Sequence, residues 1–243
     1  MPLQVRYPHN PASGAPRGLT VAAVRAVAAQ VRTQLSKDAS GHALDAGALV
    51  GLANAVDANG RIVGVTWDFA HEVHDDAGMA VLGVCQTDPT APGMAYISIN
   101  ATMVAACPVL AVSTAAHELG HVIFDVPAAM LAPSRCYRTV TACPAALNAT
   151  SRAAERRANE FMGALLAPPV PLHTRLLAMA REERLRLTRA EHQGRPGSPV
   201  LAGDNQAEAI EGVIAALAGE FGVTDRFIAV RLRCYGLIAG GVR

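Results

Sequence analysis

Residues 109–124 read VLAVSTAAHELGHVIF, and no other segment constrains the fold as tightly. The apolar residues recur at helical spacing, which predicts a helix from about Val109 to Phe124, with Pro127 at or just beyond its end. In such a helix His117 and His121 are four residues apart and share one face about one turn apart. Two ring nitrogens so placed can reach a single tetrahedral ion. Glu118 is turned ~100° from His117, so it stands beside such an ion without binding it. From there a carboxylate can take a proton from water. This is the H-E-x-x-H pattern. It predicts metal-assisted peptide hydrolysis, with His117 and His121 as metal ligands, Glu118 as the catalytic base and Zn²⁺ as the cofactor.

A catalytic zinc takes a third protein ligand and keeps one position open. Glu155 opens a downstream helix in which Ala158, Phe161, Met162 and Leu165 form an apolar stripe for packing against the histidine helix. Asn159 shares the face of Glu155, whereas Glu160 points nearly the opposite way. Asp125 follows His121 by four residues and shares its face, either as the third ligand or as a partner for a ligand histidine. Spacing alone leaves Glu155 and Asp125 both open.

At 243 residues the chain suits one domain, or one plus a small appendage. Half of it is hydrophobic and 17% is charged, enough for a sizeable core. A net charge of +1 gives no global attraction to nucleic acid or membrane. The N-terminus lacks the charged and apolar regions of a signal peptide. No apolar run approaches the ~18 residues of a membrane span, so no membrane association is expected. Five cysteines, an odd number without a dense framework, favour a reducing, cytoplasmic location.

The remaining pattern predicts an α+β fold. Residues 1–18 form an extended, Pro- and Gly-rich lead-in. Thr20 caps a helix to about Lys37, and a second helix spans Ala43–Val56. Arg61–Trp67, Met79–Cys85 and Met94–Asn100 form a small three-stranded sheet. The loop of about 25 residues after the histidine helix holds Cys136 and Cys143. Ser151 caps the Glu155 helix, which reaches Leu166. An Arg-rich helix covers His173–His192, a linker runs Gln193–Asn205, and two helices near Gln206–Phe221 and Thr224–Tyr235 close the chain. The expected domains are the lead-in, a core over 19–170 and a helical C-terminal region over 171–243 with a helix-turn-helix-like hairpin.

These residues resemble the ImmA/IrrE family of metallopeptidases. The strand Ile97-Ser98-Ile99-Asn100 and the segment Ser113–His121 are similar to that family's strand and zinc helix. Glu155-x-x-Ala158-Asn159-x-Phe161, continuing to Leu165-Leu166-Ala167-Pro168, looks like its second helix, whose first Glu is the third zinc ligand. Phe221-Gly222-Val223-Thr224, with Val230-Arg231-Leu232 and Gly236-Leu237-Ile238, is similar to its C-terminal hairpin. The likeness spans roughly residues 50–240. It implies a zincin-like fold with Glu155 as the third ligand, and a peptidase that cuts a protein substrate, often a helix-turn-helix repressor. The Cys-containing loop and Met162-Gly163, where small alanines are usual, depart from the pattern.

Other features have plainer readings beside their sharp ones. Cys136 or Cys143 can act as a thiolate switch on the metal, or be an ordinary loop cysteine. His71 and His74, near Asp75 and Asp76, form a second histidine pair better read as a solvated turn. Arg175, Arg181, Arg184, Arg186 and Arg189 read as a solvated helix face. Arg226, Arg231 and Arg233 on the terminal hairpin would meet phosphates if it bound DNA, whereas such short helix pairs more often just pack. Tyr96 and Tyr137 are candidate electrophiles, and the strand ending at Asn100 is a candidate edge for an extended substrate. The competing functions are a zinc-containing DNA- or protein-binding regulator and a zinc hydrolase acting on a small molecule or peptide.

Overall fold

The computed structural model describes residues 1–35, 41–131, 138–140, 148–192 and 195–240, and the chain divides into two compact units. The first comprises Met1–Ser40 and Leu44–Leu165, and the second Gly41–Ala43 and Leu166–Arg243. The fold is α+β.

The first unit is built on one mixed sheet. Its strands are β1 (Leu3–Val5), β2 (Ala55–Ala58), β3 (Arg61–Asp68), β4 (Gly83–Thr87), β5 (Met94–Ile99) and β6 (Arg138–Val140). They lie in the order β1-β2-β3-β5-β4-β6. Its helices are α1 (Val21–Leu35), α2 (Ala46–Leu52), α3 (Ala101–Ala106), α4 (Val109–Phe124), α5 (Val126–Ala129) and α6 (Ala149–Leu166). Register puts Leu3, Val5, Val56, Ala58, Val63, Val65, Cys85, Ala95, Ile97 and Ile99 on one face, and all are buried. The period of two along each strand produces this single apolar face.

The sheet is larger than the predicted three strands. β1 forms inside the expected lead-in, because Leu3 and Val5 can bury beside Val56 and Ala58. The second predicted helix stops at Leu52, and residues from Ala55 pair with β3 around the Asn59-Gly60 turn. Its start is capped by Asp45, whose carboxylate accepts from the Ala48 amide at 2.7 Å. The outer edge of β1 is sealed by α1. Gln34 exchanges two hydrogen bonds with the backbone of Gln4, at 2.9 and 2.7 Å, and Gln30 does the same with Arg6, at 2.8 and 2.9 Å. Two side-chain amides thus stand in for a neighbouring strand.

The α4 helix follows its predicted bounds. It is buried all round from Thr114 to Phe124, as an apolar helix lying between two layers must be. Together with α5 it gives a stretch, Val109–Ala129, apolar and long enough by composition to cross a membrane, contrary to the run-length expectation, yet most of it is packed inside the protein. On one side α4 packs on the sheet and on the other on α6, where Phe124 and Phe161 meet edge to face at 5.9 Å. Helix α6 begins two residues before Ser151, and its cap is Asn148, which accepts from the Ser151 amide at 2.8 Å.

The second unit corrects the expectation of an all-helical C-terminal region. It holds α7 (Pro169–Glu182), β7 (Leu187–His192), β8 (Arg195–Ala202), α8 (Ala207–Phe221), α9 (Asp225–Cys234) and β9 (Ile238–Ala239), with the strands in the order β7-β8-β9. The predicted helix to His192 ends ten residues early at Glu182, where the chain turns through a left-handed Arg184 at φ 53°. Leu187 then pairs with Leu201 across residues expected to be a linker. The α8–α9 hairpin forms as predicted. Gly222 closes α8 at φ 66°, and the Thr224 hydroxyl caps α9 by accepting from Phe227 at 3.2 Å.

Gly120 sits where α4 and α6 approach backbone to backbone. A Cβ there would meet the Ala158 Cα at 3.0 Å and the Phe161 ring at 3.3 Å. Gly120→Ala should force the two helices apart and cost about 1–3 kcal/mol of stability. Chemical denaturation of the purified protein would register this, and a midpoint raised by the ~1 kcal/mol that alanine gains over glycine in an open helix would contradict the close approach.

Candidate metal centre

Three side chains converge between α4 and α6. His117 and His121 come from one face of α4, as their spacing requires, and Glu155 comes from the second turn of α6. The two Nε2 atoms are 3.2 Å apart. Glu155 Oε2 lies 3.2 Å from His117 Nε2, and Oε1 lies 3.3 Å from His121 Nε2. Ligand atoms around a tetrahedral ion with bonds of ~2.0–2.1 Å are separated by ~3.3 Å. The triangle therefore has the size and donor set that a His₂Glu ion site needs. His117 and His121 are buried, and the Glu155 side chain is 13% exposed. This buried group can hold a metal ion, and it is the one such group of three or more among the described residues.

The rival for the third position has another job. Asp125 accepts from His121 Nδ1 at 2.9 Å, on the side of the ring away from Glu155. Its second oxygen accepts from Arg157 of α6 at 2.6 Å. Glu160 points away from the group, as predicted, and pairs with Arg25 of α1 at 2.6 Å.

Glu118 is buried beside the sheet. The reason it fits is Gly83, at the start of β4. A Cβ there would lie 2.8 Å from Glu118 Oε1 and 2.7 Å from the Thr114 methyl. Sequence reasoning missed this glycine, although an isolated Gly in a strand pattern is a signal of close approach. Cys85 lies on the same sheet face. Burial, and then the nearby Glu118 and Asp125 carboxylates, hold its thiol well above the usual range, so it stays a neutral packing group.

Several sequence candidates lie elsewhere. Tyr96 alternates with Ile97 and Ile99 and so occupies the opposite sheet face from α4, which removes it as an electrophile for this group. Strand β5 is not an edge, since β3 and β4 flank it. Asn100 is a structural hub. Its amide donates to the Val73 and Val81 carbonyls at 3.0 Å, and its oxygen caps α3 through the Met103 amide at 3.2 Å. His71 turns to Asp68 at 2.7 Å, and His74 lies 4.0 Å from Glu72, both at the surface. The Arg run is divided among α7 (Arg175, Arg181), the turn after it (Arg184, Arg186) and β7 (Arg189) rather than forming one helix face. Arg231 is buried, with its guanidinium 5.6 Å above the Phe227 ring, so it is not presented to phosphates. Cys136, Tyr137 and Cys143 lie outside the described residues.

Comparison of the chain with family models, with curated proteins and with solved structures finds no match.

The group's own charges hold it together without an ion. Burial works against charge on His121, but the hydrogen bonds to Asp125 and Glu155 outweigh it and push the pKa up to about 10. Burial also works against charge on Glu155, and the hydrogen bonds from His117 and His121 hold its carboxyl down at about 2. The raised His121 adds stability that is complete below its ordinary 6.5 and is lost as pH climbs towards 10. The lowered Glu155 adds stability present above its ordinary 4.5 and lost as pH falls towards 2. A metal must displace the proton on His121, so its binding strengthens as pH rises. The metal-free protein should therefore lose Tm from pH 6.5 towards 10, while the Tm gain on adding Zn²⁺ grows over the same window. Melting curves with and without Zn²⁺ test this, and a gain that shrinks with rising pH would refute it.

Proposed function

We propose that the chain is a zinc-dependent metallo-endopeptidase with a zincin-like core, acting on a specific protein partner in the manner of the ImmA/IrrE family it resembles. The observation that carries the reading is the ligand triangle of His117, His121 and Glu155, with Glu118 next along the same buried helix. A group that only binds metal has no use for a buried carboxylate in that position, whereas hydrolysis needs a base there. Asp125, already engaged with His121 and Arg157, leaves Glu155 as the third ligand.

When bound, zinc would acidify water and polarise the scissile carbonyl. His117, His121 and Glu155 would hold the ion, through the two Nε2 atoms and a carboxylate oxygen. Glu118 takes the proton from the attacking water at a carboxylate oxygen and delivers it to the leaving amine. Gly83 leaves room for that carboxylate, and the apolar face of β4 and β5 keeps it from bulk water. The partner expected from the resemblance is a helix-turn-helix regulator, and the terminal α8–α9 hairpin is the part of this chain similar to that family's own C-terminal hairpin.

Glu118→Gln keeps the shape and removes the base. It should retain Zn²⁺ and lose cleavage by about 10²–10⁴-fold. The assay is incubation with a candidate helix-turn-helix regulator, with and without a chelator, read by mass spectrometry. Cleavage by the variant at the wild-type rate would overturn the mechanism.

A further inference from the structure

Outside the ligand triangle, one chain of contacts reaches into it from behind. It rests on the reading of His117, His121 and Glu155 as metal ligands. We propose that Arg157 is a positioning residue for the metal, acting through Asp125 on His121.

An imidazole that binds metal through Nε2 must carry its single proton on Nδ1, and an acceptor at Nδ1 selects that form. Asp125 Oδ2 is that acceptor, 2.9 Å from His121 Nδ1. The oxygen does this only while it is held in place. Asp125 is nearly buried, at 9% side-chain exposure, where a lone charge is costly. Its backbone is fixed at the end of α4, with its N–H donating to the His121 carbonyl at 2.9 Å. Its other oxygen is fixed by the Arg157 guanidinium at 2.6 Å. The two oxygens of Asp125 are thus divided between the ring and the cation.

Arg157 lies two residues beyond Glu155 on α6. Glu155 meets the Nε2 side of His121, and Arg157 controls the Nδ1 side through Asp125. One helix therefore holds the same imidazole at both ring nitrogens. Neither Asp125 nor Arg157 touches the ion or a substrate, so their effect should appear in metal affinity and ligand geometry. A guanidinium presents a planar fork that an ammonium lacks, which makes Arg157→Lys a partial substitute.

The test uses the full chain, with Zn²⁺ affinity from competition against a chromophoric chelator and the visible spectrum of the Co²⁺ form. Asp125→Asn should weaken Zn²⁺ binding about 10–100-fold, in the range for such outer partners. Arg157→Leu should weaken it by about tenfold and alter the Co²⁺ spectrum, with Arg157→Lys falling between it and wild type. Because Arg157 acts through Asp125, the double variant should bind no more weakly than Asp125→Asn alone. Arg25→Ala, which breaks a different ion pair on α6, should leave affinity unchanged. Wild-type affinity in Arg157→Leu, or losses that multiply in the double variant, would overturn the proposal. If Arg157→Leu does not fold, a wild-type affinity and spectrum in both Asp125→Asn and Arg157→Lys would overturn it equally. His117→Ala separates the two readings: if wild type binds Zn²⁺ no better than this variant, the ligand assignment itself fails.

Discussion

The first unit depends on the contact between α4 and α6 at Gly120 and Ala158. Helix α4 carries two imidazoles and one carboxylate into a nearly dry layer, with Asp125 at its end, and burying charges without partners costs several kcal/mol each. The partner that offsets this for His117 and His121 is Glu155, and it belongs to the other helix. Only a backbone-to-backbone approach brings Glu155 within 3.2–3.3 Å of both rings. A glycine inside a helix costs about 1 kcal/mol relative to alanine. Here it permits the approach on which the charge balance of the whole layer rests.

The rest of the unit supports that layer from outside. The sheet gives α4 a flat apolar floor, and Gly83 is the one place in β4 where the floor is lowered for Glu118. Asn100 ties the 69–82 segment to the end of β5, so that β4 enters the sheet in a fixed register. Tyr7 donates to the Ile123 carbonyl at 2.5 Å, which anchors the last turn of α4 to the segment after β1. On the far side α1 grips α6 through Arg25 to Glu160 and Arg32 to the Leu165 carbonyl, both at 2.6 Å. Among the described residues, the sheet, α1 and α6 are the regular elements that support the group, as a site that needs close placement requires.

Much of this was legible because it is local. The spacing of His117 and His121, the Thr20 cap and the break between the last two helices near Gly222 are consequences of one helix turn or one cap. The errors share a cause. Residues 55–58 and 187–192 are short runs at the expected end of a helix, and each becomes a strand by pairing across a turn with the segment that follows it, β3 and β8. Ser151 was a sound cap by type, but Asn148, three residues earlier, caps the helix and takes the Ser151 amide.

The sequence by itself determined which two imidazoles could share an ion and which carboxylate would stand beside them, since helix geometry decides that within five residues. It also supplied Glu155 and Asp125 as rivals without choosing between them on spacing. Only the tertiary structure separates their positions. Asp125 stays on the helix of His121 and can reach only the outer ring nitrogen, whereas Glu155 arrives across the Gly120–Ala158 contact from the side where both inner nitrogens point. Arg157 was invisible for the same reason: it acts on His121 through a residue 32 positions away, and only the packing of α6 on α4 makes them neighbours.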